Sequence, residues 1–202
     1  MLGRNFEAQL GLGDTVRRSI PTRVGTSADW ARVSSGFGHS CASKTDGSLY
    51  CWGRNGSAAL GLGFASDVPT TTPTRVGTGT SWTLVVASLD NSCALQTDGS
   101  AWCWGNIGFP AVTSPTRVVA AQTWVALSKR FGYNGTPLLA DDGALFSLRV
   151  FSPLDLPRES TASSWDLAEG GGGSTCAVQR GDGSLWCWGL GGALGFPRRR
   201  GS

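Results

Sequence analysis

Long apolar runs, charge and histidine are all scarce in this sequence, and each shortage excludes something. No stretch approaches the roughly 18 consecutive apolar residues that a membrane-crossing helix needs, so no span of that kind is expected. Charged residues make up only 15% of the chain against 40% hydrophobic, which argues against charge-driven disorder. A net charge of +3 gives no basis for a nucleic-acid partner. Arg198, Arg199 and Arg200 supply three of the positive charges together, in a tail that reads as solvated. Histidine occurs once, so a Ser-His-Asp triad could be built only around His39. No segment keeps a 3.6-residue apolar period for more than two turns, which speaks against a helical architecture. Met1-Leu2-Gly3-Arg4-Asn5 contains no basic segment followed by an apolar one, the pattern of a signal peptide.

Glycine and tryptophan are abundant instead, at 30 and 9 residues. Many glycines imply many tight turns, and the aromatics must fill whatever core those turns enclose. Both types recur in register. Pro21-Thr22-Arg23-Val24 returns as Pro73-Thr74-Arg75-Val76 and as Pro115-Thr116-Arg117-Val118. A tryptophan follows each, at Trp30, Trp82 and Trp124, with Trp165 in a more divergent fourth copy. An Asp-Gly pair comes next, at Asp46-Gly47, Asp98-Gly99, Asp142-Gly143 and Asp182-Gly183, and the tryptophan-to-glycine spacings are 17, 17, 19 and 18 residues. Cys-Trp-Gly closes three of the copies, at residues 51–53, 103–105 and 187–189.

Each copy reads as four short strands, in the second copy near 74–77, 82–87, 92–96 and 100–104, with Gly, Pro, Asp and Ser between them. Four strands in a repeat of about 40–52 residues is the mark of a propeller blade rather than of a helical solenoid. The copies run approximately 3–52, 53–104, 105–148 (degenerate) and 149–188, with 189–202 opening a further one. Gly170–Gly173 falls between the tryptophan and the cysteine of copy four and reads as a loop inside a blade. The order Leu-Gly-Leu-Gly, Pro-Thr-Arg-Val, Trp, Gly-x-x-His-Ser-Cys-Ala, Thr-Asp-Gly-Ser-Leu-Tyr-Cys-Trp-Gly resembles the regulator-of-chromosome-condensation repeat family. The resemblance implies an all-β fold of four-stranded antiparallel blades, usually seven to a ring. Four copies then imply an incomplete arc with exposed apolar end faces, a tendency to self-associate, and a piece of a longer reading frame.

Six cysteines fall as Cys41/Cys51, Cys93/Cys103 and Cys176/Cys187. A three-residue Thr-Asp-Gly hairpin loop would set the first two pairs directly opposite each other, at the short edge of disulfide geometry. Copy three has Pro137 and Ser147 at the two positions, so both thiols vanish together. Free buried thiols and zinc remain as rival readings, although pairs ten residues apart do not resemble Cys-x-x-Cys ligand sets. Disulfides would each contribute about 2–3 kcal/mol at most and would imply an extracytoplasmic or secreted protein, a cytoplasmic one being the alternative. Gly47 and Gly99 should adopt left-handed conformations, and Ser100→Ala should be nearly neutral.

Chemistry is hard to assemble. The counterparts of His39 are Asn91, Gly135 and Ser174, so imidazole is not required there, and a turn-side polar role is expected. The Asp-Gly aspartates suit hairpin turns and have no acid–base partner. Residues 10–13 and 60–63, Leu-Gly-Leu-Gly, lack the Gly-Lys-Ser/Thr of a phosphate loop and read as connections between blades. No catalytic residue, cofactor or metal is expected. Arg23, Arg75 and Arg117 would form a stepped row that could bind an acidic partner or hydrogen-bond a neighbouring blade's carbonyls. Trp30, Trp82, Trp124 and Trp165 should pack between blades, whereas Trp102 and Trp186 alternate with their neighbours across a strand and are candidates for partner contact. The expected function is therefore a non-enzymatic scaffold that binds another protein through loops on one propeller face. The resemblance also brings an alternative, a guanine-nucleotide exchange factor for a small GTPase. It includes a plant ultraviolet photoreceptor as well, whose tryptophan motif is absent from this sequence.

Overall fold

The computed structural model describes residues 3–107, 110–118, 122–128, 136–148, 164–171 and 174–189. The chain divides into two compact units, Met1–Val119 and Ala120–Ser202. Unit 1 contains two four-stranded antiparallel sheets. The first sheet takes β1 (Trp30–Ser35), β2 (His39–Lys44), β3 (Leu49–Asn55) and β4 (Ser66–Arg75) in that order. The second takes β5 (Trp82–Ala87), β6 (Asn91–Gln96), β7 (Ala101–Gly105) and β8 (Val112–Arg117). Unit 2 contains two three-stranded sheets: β9 (Trp124–Leu127), β10 (Thr136–Ala140) and β11 (Leu145–Leu148), then β12 (Trp165–Gly171), β13 (Ser174–Gln179) and β14 (Leu185–Gly189). Sequential strands pair throughout, as in propeller blades. No helix is long and apolar enough to cross a membrane among the described residues.

The sheets are out of phase with the sequence copies. The sequence reading makes 74–77 the first strand of the second copy; in the fold that segment closes the blade before. Thr74 pairs with Cys51 and Thr116 with Cys103, while the Val76 and Val118 amides donate to the Leu49 and Ala101 carbonyls at 2.8 Å. The blades of unit 1 therefore run from 30 to 75 and from 82 to 117 rather than over 3–52 and 53–104. Periodicity sets the length of a repeat but not where a sheet ends, which the returning loop after Cys-Trp-Gly decides. Pro21–Val24, the first such segment, lies in no strand.

One apolar core sits between the two sheets of unit 1. Cys41, Leu49, Cys51, Leu60 and Val76 come from one side, and Trp82, Val85, Ala94 and Trp104 from the other. A smaller cluster in unit 2 joins Leu139 and Leu145 to Trp165, Ala168 and Ala177. Trp82 and Trp165 thus pack between blades. Each repeat tryptophan also meets the aromatics of its own third strand, a contact the spacing did not reveal: Trp30 with Tyr50, Trp82 with Trp102, Trp124 with Phe146 and Trp165 with Trp188.

Candidate functional site

The Asp-Gly hairpins are built alike. Gly47 and Gly99 both have φ of 76°, and Gly143 and Gly183 have 84° and 70°, all in the left-handed region. Asp46 Oδ1 accepts from the Ser48 amide at 2.9 Å and its hydroxyl at 2.6 Å, and Asp98 does the same with Ser100. These bonds, the serine hydroxyl first, hold the carboxyls of Asp46 and Asp98 below their ordinary value. The aspartates are thereby committed to their turns. Ser100 does more than the sequence implied: its hydroxyl donates to Asp98 and accepts the Trp102 indole N–H at 2.9 Å, and the residue is buried. Ser100→Ala is therefore expected to cost about 1–2 kcal/mol rather than nothing, because the indole N–H loses its acceptor. Urea titration of the variant, followed by tryptophan fluorescence, reads this directly, and an unchanged midpoint would remove the Trp–Ser–Asp relay.

Cysteines face each other across the same hairpins. Cys41 is in register with Cys51, Cys93 with Cys103 and Cys176 with Cys187, each pair bonded through sulfur with α-carbons 4.1 Å apart. Copy three keeps the register without the thiols, Pro137 opposite Ser147.

The opposite end of unit 1 gathers exposed apolar side chains on tied loops. Phe37 tops the β1–β2 turn and Leu89 the β5–β6 turn, and the Phe37 amide donates to the Ser88 carbonyl at 2.9 Å. Arg54, just past the Cys-Trp-Gly of β3, donates its amide to Gly38 and pairs through its guanidinium with Asp90 at 3.5 Å. Phe6 lies on the preceding loop with the Arg4 guanidinium over its ring at 5.7 Å. Phe6, Phe37 and Leu89 are 67%, 62% and 57% exposed.

The regulator of chromosome condensation (RCC1) repeat model matches residues 1–43 and 46–95, and a second model of the same repeat matches 30–58. These are RCC1 repeats. The ultraviolet-B receptor UVR8 of Arabidopsis thaliana is 32% identical over 108 residues, covering 51% of this chain and 24% of that protein. The crystal structure of the yeast RCC1 protein Prp20 bound to Kap60 superposes with a TM-score of 0.75 at 21% identity, over 94% of this chain and 51% of that one. The ectodomain of the receptor kinase CR4 from Physcomitrella patens gives a TM-score of 0.60 at 18% identity, over 98% of this chain and 49% of that one. At those identities the two structures speak to the fold alone. The chain spans about half of each of these two solved chains and about a quarter of the curated relative.

Placed on the RCC1-repeat fold, the residues singled out by sequence separate. Arg23 and Arg75 are exposed and donate to the carbonyl three residues on, at Thr26 and Thr78, so each clasps its own loop rather than a neighbouring blade. Arg117 is exposed at the matching position of β8. Trp102 is half-buried, edge-on to Trp82 at 6.1 Å, and is not a free surface aromatic. Trp186, its counterpart in β14, is 54% exposed. His39 is not turn-side: it is buried between the two sheets of unit 1, with Nε2 2.9 Å from Ser92 Oγ. Phe37 and Leu89 share one repeat position, seven residues after Trp30 and Trp82, and that apolar recurrence is the sequence signal that points to them; Phe6 has no such counterpart.

Two further sets of residues hold the RCC1-repeat blades together. Asn55 is fully buried; its Oδ1 accepts from the Leu60 amide and its Nδ2 donates to the Phe64 carbonyl, clamping the Leu60–Gly63 loop. Asn5 does the same for the Leu10 loop. The recurrence of Gly-Arg-Asn at 3–5 and 53–55 is the sequence signal for this clamp. Serines four residues after the repeat tryptophan bridge neighbouring blades: Ser34 Oγ accepts the Ala87 amide at 3.0 Å in unit 1, and Ser128 Oγ accepts the Gly170 amide at 2.8 Å in unit 2. Gly170 and Gly171 pair with Thr175 and Ser174 as the end of β12, and Gly172 and Gly173 lie outside the described residues.

Proposed function

We propose that this RCC1-repeat chain is a non-enzymatic scaffold that binds another protein through the loop tips of unit 1, in an extracytoplasmic setting. The exposed set Phe6, Phe37 and Leu89 carries the reading. Phe37 and Leu89 are held out on loops whose backbones are hydrogen-bonded to each other, and such preorganised apolar side chains supply anchors at little entropic cost. The Arg54–Asp90 pair beside them provides a polar rim. Catalysis through His39 finds no support, since that ring is 1% exposed and bonded to Ser92. Photo-crosslinking from a probe at position 37, in the presence of extracytoplasmic extract, should trap a protein partner. Phe37→Ser combined with Leu89→Ser should weaken capture about tenfold or more, and undiminished capture would place the contact elsewhere.

The compartment rests on the cysteines. Regular cross-strand bridges persist where the environment is oxidising. Peptide mapping without reductant is expected to recover Cys41–Cys51, Cys93–Cys103 and Cys176–Cys187 as linked pairs. Six alkylatable thiols in protein purified without reductant from an oxidising compartment would instead favour a cytosolic or nuclear regulator, the guanine-nucleotide exchange reading.

A further inference from the structure

Two separate surfaces of this chain are halves of a joint that the fold builds whole elsewhere. Within unit 1 the complete joint lies at the first residues of β3. Leu49 is fully buried in the cluster that holds Leu60 and Val76, themselves 0% and 1% exposed. The Pro73–Val76 segment runs antiparallel beside it: Thr74 faces Cys51, Arg75 faces Tyr50, and the Val76 amide donates to the Leu49 carbonyl.

One copy earlier, Leu10 and Val24 hold the positions of buried Leu60 and Val76, yet they are only half-buried, and Leu12 is half-buried like its counterpart Leu62. With Gly3, Ile20 and Pro21 they line an open groove of about 340 Å³. Ile20 is 72% exposed, and Pro21–Val24 carries the strand-forming Pro-Thr-Arg-Val in no strand. The other half lies on unit 2. Ser184-Leu185-Trp186-Cys187-Trp188-Gly189 repeats the pattern of Ser48–Gly53. β14 is the edge of its sheet, with no fourth strand among the described residues. Leu185, the counterpart of fully buried Leu49, is 70% exposed, and Trp186 beside it is 54% exposed.

We propose that β14 of one copy docks on the Leu10–Val24 groove of a second copy, which adds Pro21–Val24 to it as a fourth strand. The complete joint dictates the register: Thr22 of the second copy faces Cys187, Arg23 faces Trp186, and the Val24 amide donates to the Leu185 carbonyl. Main-chain bonds to an open sheet edge supply affinity, and Leu185 entering against Leu10 and Val24 supplies specificity. The interface joins unlike surfaces, so association runs head to tail. This inference is independent of the loop-tip scaffold, which uses other residues.

Light scattering coupled to size exclusion on the full chain tests it. Mass is expected to rise with protein concentration. Leu185→Asp and Val24→Asp should each weaken association roughly tenfold or more, since either removes the burial of one aliphatic side chain. Each variant keeps one intact half, so mixing the two should produce a 1:1 dimer and nothing larger. Val68→Asp, at a 76% exposed apolar position outside the joint, should associate like the parent chain. A parent chain monomeric at every concentration, a mixture that does not dimerise, or equal losses in the Val68 variant would each overturn the proposal. Far-ultraviolet circular dichroism matching the parent shows that a loss of mass is not a loss of fold.

Discussion

Gly61→Ala is expected to destabilise unit 1 by about 3 kcal/mol or more, whereas Gly77→Ala should cost only about 1 kcal/mol. Both glycines have positive φ, 70° and 59°, so both variants incur the strain of a β-carbon in the left-handed region. The surroundings differ. A β-carbon on Gly61 would lie 2.8 Å from Nε1 and 2.9 Å from Cδ1 of Trp104, while one on Gly77 would meet nothing within 4 Å. Trp104 has nowhere to move: it is fully buried in the inter-blade core, and its indole N–H donates to the Ala59 carbonyl at 2.8 Å. The difference between the variants therefore isolates the collision from the backbone strain. Chemical denaturation followed by tryptophan fluorescence measures it, and equal losses would mean that the Leu60–Gly63 loop does not press on the indole. Gly11 makes the same approach to Trp52, so Gly11→Ala offers a repeat of the experiment.

Acid should loosen the joint between the first two blades over a window that only His39 explains. Its ring is buried, and burial pushes the pKa down from 6.5 to about 4. Ser92 spends its one hydroxyl proton on the Ala59 carbonyl at 2.9 Å, which leaves its oxygen to accept from His39 Nε2, also 2.9 Å away. Because the folded value lies below the unfolded one, the contribution of the neutral ring is fully present above pH 6.5 and is lost as the pH falls towards 4. The total loss corresponds to about 3 kcal/mol. The turn carboxyls of Asp46, Asp98 and Asp182 are lowered beneath 3.8, so their contributions disappear only at more acid pH and do not confuse the window. His39→Asn places in blade one the residue that copy two carries at position 91. Its stability should be nearly flat from pH 7 to pH 4.5, and a variant that tracked the parent chain through that range would remove His39 as the cause.

The two kinds of reading diverged where folded geometry fixes a side chain's surroundings, locally for Ser100 and the arginines and across sheets for His39. Ser100 is one serine among many in the sequence; only folding brings Trp102 to its hydroxyl while Asp98 holds the proton. His39 looked dispensable because its counterparts are Asn91, Gly135 and Ser174, but interchange at a repeat position says nothing about burial. The Arg23 and Arg75 clasps depend on a loop geometry that composition does not encode. Trp102 and Trp186 share one repeat position and end half-buried and exposed, because β7 has a fourth strand beside it and β14 has none among the described residues.

By itself the sequence determined the local rules of this protein: the repeat, its short antiparallel strands, left-handed glycines in the Asp-Gly turns and cysteines facing one another across them. Each follows from a period of two along a strand and from turn chemistry, which act within about ten residues. Tertiary structure decided the rest. It set the phase of the blades, since Pro-Thr-Arg-Val pairs backwards with the preceding Cys-Trp-Gly. It chose which polar groups are buried, as with Asn5, Asn55 and His39, and which of two identical strand patterns stays open. Those outcomes depend on what lies on the far side of a side chain, and in a repeat array the neighbour that supplies it is some fifty residues away.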